Sequence, residues 1–146
     1  ATRAIYNQLR KEVVLPAGAR WVDPLDPDGV CGYTLCMLFG SHADAVKGAR
    51  AGLGGLAGGE ARGARDWHVY WHWQHIMEQK TATPEGFPFK SPYVQTPQAY
   101  SPDMCPRTRD IMMRVGMISI LPTDTAEWAS AFAGELNQNL AREFKA

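Results

Sequence analysis

The stretch Trp67-His68-Val69-Tyr70-Trp71-His72-Trp73-Gln74-His75 gathers three of the chain's four histidines and three of its five tryptophans. Read as a helix, it sets His68, His72 and His75 on one face, and histidine pairs at i,i+4 spacing chelate zinc. His68 and His75 would stand about 10 Å apart along the axis, so one ion cannot take all three. No glutamate follows the first histidine in the metalloprotease pattern. Two further readings stand beside the metal. In one, the aromatics of an amphipathic helix pack on a sheet and leave the histidines at its rim. In the other the segment lines a cleft, where flat aromatic faces and ring nitrogens suit sugar rings and other polar planar ligands.

Other chemistry-bearing residues are scattered. Cys31 and Cys36 fall on the central strand, where buried, inert thiols are commoner, while Cys105 precedes a helix start that would stabilise a thiolate. Gly52-Leu53-Gly54-Gly55 and Gly58-Gly59 do not directly follow a strand, as a phosphate-cradling loop requires. Ser119 and the other serines lack a nucleophile elbow. Arg107, Arg109 and Arg114 crowd one helix, either as a solvated face or as a site for carboxylate or phosphate.

The elements that must position these groups follow from periodicity. Ile5, Leu9 and Val13 predict a helix over 3–14, ended by Pro16 and Gly18. It opens without a recognisable cap, as at a cut boundary. Arg20 to Val22 reads as a short extended piece, followed by a turn through Pro24 to Gly29. Val30 to Phe39 reads as the clearest strand; both of its faces are mostly apolar, so it should lie centrally with both sides covered. Ser41-His42-Ala43-Asp44 fits a helix cap, and the helix that follows should fray before Gly58-Gly59. Ala61 to Asp66 is expected to form a short edge strand and Val69 to Gln79 an aromatic-rich helix.

From Thr81 to Tyr100 the proline density excludes regular structure, and a loop of that length usually serves function or a partner. Pro106 opens a helix to about Met113, and Val115 to Leu121 forms a strand. Asp124 and Glu127 look like the N-terminal cap pair of a last helix striped by Trp128, Phe132, Leu136, Leu140 and Phe144. This order predicts an α/β (α+β) two-layer sandwich, a small, mostly antiparallel sheet of three or four strands backed by helices.

Residues 1–146 suffice for a single domain. Fifteen basic residues balance fifteen acidic ones, so no net field recruits nucleic acid or an anionic membrane. Apolar runs are too short for a membrane span, and the start has no signal-peptide layout. Three cysteines are too few for a disulfide scaffold, which makes a reducing cytoplasm the expected compartment.

Several of these pieces recur in one family. An opening helix runs into Val14-Leu15-Pro16, a strand spans Gly32 to Phe39 and a helix follows from Ser41. Then come Tyr70-Trp71-His72-Trp73-Gln74-His75-Ile76 and Tyr100-Ser101-Pro102-Asp103-Met104-Cys105-Pro106-Arg107-Thr108. Val115-Gly116-Met117-Ile118-Ser119-Ile120-Leu121-Pro122 and a capped helix close the chain. In order and spacing this resembles the carboxy-terminal, small domain of the DegT/DnrJ/EryC1/StrS family, the pyridoxal-phosphate-dependent sugar aminotransferases.

The resemblance implies the small domain of a fold-type I enzyme. Its large domain would hold the cofactor on a lysine and would lie on polypeptide outside residues 1–146. The full enzyme would be a homodimer moving an amino group from glutamate or glutamine to a keto sugar, commonly nucleotide-linked. Lys11, Lys47, Lys80, Lys90 and Lys145 lack the family's cofactor-lysine surroundings, so this chain alone is expected neither to bind pyridoxal phosphate nor to catalyse. The resemblance also implies Trp71, His72 and His75 as substrate contacts in the cleft between domains, with Arg114 for a carboxylate. The alternative is a free-standing α/β module that binds a sugar-like ligand or a protein partner on the same aromatic segment.

Overall fold

The computed structural model describes residues 2–57, 66, 68–90, 96 and 98–145. The expected edge strand over 61–66 lies outside these residues except for Asp66, which is not in a strand. The sheet is small and antiparallel, with strands β1 (Arg20–Trp21), β2 (Thr34–Leu38) and β3 (Val115–Ser119) in the order β1-β2-β3. Arg20 pairs with Leu38, while Leu35 faces Ile118 and Met37 faces Gly116. Period two then sends Leu35, Met37, Phe39, Ile118 and Ile120 to one face, and all five are buried. A layer of helices covers that face: α1 (Thr2–Glu12), α2 (His42–Arg50) and the long α5 (Ala126–Glu143). They contribute Ile5, Tyr6, Leu9, Ala45, Ala129, Ala133, Leu136 and Leu140 to one shared core. The expected α+β two-layer architecture is what forms.

β2 is central, but among the described residues one of its sides is covered far more than the other. Thr34, Cys36, Leu38, Val115, Met117 and Ser119 occupy the opposite face, and none of them is buried. Apolar composition on both faces marked burial that the described residues supply only once.

Several helix ends have a physical cause. Ser41 caps α2, its hydroxyl accepting the Asp44 N–H at 3.1 Å. At α5 the cap is Thr125, whose hydroxyl accepts the Trp128 N–H at 3.2 Å. Asp124, the residue expected there, instead accepts the Leu121 N–H at 2.7 Å and closes the turn after β3. Two asparagines inside α5, poor helix formers by propensity, hold the ends of the other helices. Asn137 accepts from Val14 N–H at 2.8 Å and donates to the Glu12 carbonyl at 2.9 Å. Asn139 donates to the Ala51 carbonyl at 3.2 Å. The carbonyls left over at the ends of α1 and α2 are thus met from a third helix.

Glycine is required where backbones and rings approach closely. Gly54 exchanges two hydrogen bonds with Met117 along the edge of β3, at 2.8 and 2.9 Å. A Cβ on Gly55, which has φ +122°, would lie 2.3 Å from the Val115 oxygen. The glycine run therefore flanks a strand edge. α2 stops at Arg50, before that run and short of Gly58-Gly59.

Candidate functional site

The aromatic segment does not form one helix. A single 3-10 turn, Tyr70–His72, is followed by a four-residue helix α3 (Gln74–Met77), with a break at Trp73 (φ −77°, ψ 80°) between them. Bulky, β-branched and imidazole side chains in succession are poor helix formers, and tertiary bonds bend the chain here. His68, His72 and His75 consequently do not share a helical face. Val69, at 1% exposure, pins the segment inward.

Two of the histidines fold around Asp66. Its carboxylate accepts the His68 backbone N–H at 2.9 Å and lies 3.0 Å from His68 Nδ1. The His72 Nδ1 accepts the Asp66 N–H at 2.9 Å and lies 3.0 Å from the Asp66 carbonyl oxygen. The His68 backbone N–H, helped by the His68 ring, holds the Asp66 carboxyl below the usual carboxylate range.

On the other side, Trp71, His72, Gln74, Met77 and Glu78 line a cavity of about 280 Å³. Glu78 accepts from Gln74 Nε2 at 2.8 Å and pairs with Lys80 at 2.7 Å. The Trp71 ring meets Tyr70 edge-on, with centroids 5.0 Å apart. A second cavity of about 150 Å³, lined by Gln79, Pro88, Phe89, Gln98 and Tyr100, begins at the next residue of the chain.

The described part of the proline-rich segment and the turn before α4 (Pro106–Met113) are tied to this unit. Gln79 Nε2 donates to the Gln98 carbonyl at 2.7 Å, and the Tyr70 hydroxyl donates to the Pro102 carbonyl at 2.6 Å.

Of the four residues proposed from the sequence, the structure brings two together. Trp71 and His72 share the larger cavity, whereas His75 is exposed on α3 and is not among its lining residues. Arg114 is engaged at the end of α4. Its Nη1 donates to the Phe39 carbonyl at 3.0 Å, and its Nε and Nη2 reach Asp110 at 3.2 and 2.6 Å. Sequence reading missed Gln74, Met77 and Glu78. The i,i+4 spacing of Gln74 and Glu78 was a usable signal for two of them.

The thiols lie elsewhere. Cys36 sits on the less covered sheet face, where burial pushes its thiol pKa up; Cys31 is exposed ahead of β2 rather than buried on it, and Cys105 is exposed at the start of α4. Among the described residues no group of three His, Cys, Asp or Glu is placed to hold a metal ion. No described helix is long and apolar enough to cross a membrane.

Lys11, Lys80, Lys90 and Lys145 are exposed. Lys47 is paired with Asp44 at 3.4 Å and lies over the Phe144 ring, 5.1 Å from its centroid. None of the five is among the residues lining either cavity around the aromatic segment, although Lys80 pairs with Glu78 of the larger one. What the larger cavity does offer is one indole, one imidazole, an amide and a carboxylate around a space the size of a small polar ring.

No known protein family matches the chain, and no curated protein matches it either.

Proposed function

We propose that the chain is the small domain of a pyridoxal-phosphate-dependent aminotransferase acting on a keto sugar, with the cofactor lysine on a separate, larger domain. The observation that carries this reading is the one-sided sheet. α1, α2 and α5 bury one face, while Cys36, Leu38, Val115 and Met117 stay partly exposed on the other. A domain that completes its core against a larger one keeps such a face. The order of motifs resembling the family's small domain supplies the reaction class.

The cavity supplies the ligand chemistry. Trp71 gives a flat apolar wall for a ring, and His72, Gln74 and Glu78 offer hydrogen bonds to its hydroxyls. On this reading the enzyme is a cytoplasmic homodimer, and the cavity faces the large domain. This domain's part is to bind and orient the sugar.

The test is made on the complete gene product. It should absorb near ~420 nm through its lysine-bound cofactor and form 2-oxoglutarate from glutamate when a keto sugar is present. Residues 1–146 alone, mixed with pyridoxal phosphate, should show no such bound band. A complete product that lacks the band overturns the aminotransferase reading and leaves a free-standing binding module built on the same cavity.

A further inference from the structure

We infer that Tyr70 and Arg109 are positioning residues that fix the Trp71 wall of the larger cavity; the inference rests on reading that cavity as the site for a hydroxylated ring. The Tyr70 hydroxyl donates to the Pro102 carbonyl at 2.6 Å and accepts the Cys105 N–H at 3.3 Å. Those partners lie 32 and 35 residues away in sequence. One phenol therefore clasps both ends of the turn that leads into α4.

Arg109, one turn into α4, completes the arrangement. Its guanidinium lies over the Trp71 ring, 5.7 Å from the centroid, and pairs with Asp103 of the same turn at 2.7 Å. The indole is thus bounded by the Tyr70 ring at 5.0 Å, the His72 ring at 5.7 Å and the Arg109 cation. Neither Tyr70 nor Arg109 is among the residues lining the cavity. They act on a ligand only by holding Trp71, and losing either should loosen the wall without removing a ligand contact.

The experiment follows the Trp71 indole N–H resonance, assigned by its loss in Trp71→Phe, and titrates methyl α-D-glucopyranoside into residues 1–146. Tyr70→Phe and Arg109→Met should each shift and broaden that resonance and weaken binding about tenfold. Arg109→Lys, which keeps the cation and the Asp103 pair, should retain most of the affinity. The Trp21 and Trp128 resonances, on the sheet and α5, should stay in place, which a general loss of structure would not allow.

An unmoved Trp71 resonance in Tyr70→Phe overturns the inference, and so does a moved resonance with unchanged affinity. If the unmutated chain does not bind the glycoside, the ring-site reading fails. A moved Trp71 resonance then still supports the clasp, and an unmoved one overturns that too.

Discussion

Replacing Gly48 by alanine pits two effects of known sign against each other. Gly48 lies inside α2, where alanine is favoured over glycine by about 1 kcal/mol. A Cβ there would sit 2.5 Å from Phe39 Cζ, 2.9 Å from Phe39 Cε2 and 3.1 Å from Leu53 Cδ1. Phe39 is 1% exposed and has little room to retreat. A Cβ on Gly116 would also meet its ring, at 2.9 Å, and Phe144 stacks on it with centroids 6.0 Å apart. Forcing a methyl into a packed core costs about 1–3 kcal/mol, so the clash outweighs the propensity and Gly48→Ala should destabilise by roughly 0–2 kcal/mol.

Gly134 in α5 is the control, because a Cβ there meets nothing within 4 Å. Gly134→Ala should stabilise by about 0.5–1 kcal/mol. The two variants, identical in chemistry, should differ by about 1–3 kcal/mol in urea unfolding, or roughly 2–12 °C in melting temperature at this chain length. Phe39→Leu should cost less in the Gly48→Ala background than alone, since the clash is relieved. If Gly48→Ala proves as stable as Gly134→Ala, the packing argument for the α2–sheet contact is wrong.

Asn137→Ala should lose about 1–3 kcal/mol by urea unfolding, because both of its bonds to the end of α1 go; Gln138→Ala beside it should stay within about 0.5 kcal/mol. Thr125→Ala should cost about 1 kcal/mol through its cap of α5, and a neutral result would return the capping role to Asp124. Asp44 is held below the usual carboxylate range first by the Ser41 hydroxyl and then by Lys47. A lowered folded pKa gives stability that is present above the unfolded value near about 3.9 and lost as pH falls through the folded one. Acid unfolding followed by circular dichroism should therefore show a decline below about pH 4 that Asp44→Asn makes shallower. An identical acid limb would discount the Ser41–Asp44 bond.

The elements themselves were legible in the residues. Four-residue apolar spacing in α1 and α5, alternation in β2, Pro106 at the start of α4 and the Ser41 cap are local signals, because backbone geometry alone fixes which side chains share a face. The α+β sandwich follows from their order. Non-local partners decided the rest. Asn137 and Asn139 look like helix errors until the ends of α1 and α2 arrive beside them. The aromatic segment carries a helix-like pattern, yet it bends because Asp66, Pro102 and Cys105 offer its side chains bonds that no periodicity records. The resemblance pointed to Trp71 and His72, but only the folded chain sets Glu78 beside them and leaves His75 and Arg114 outside the cavity. Sequence sets the local menu of conformations; which side chains meet depends on contacts between residues tens of positions apart.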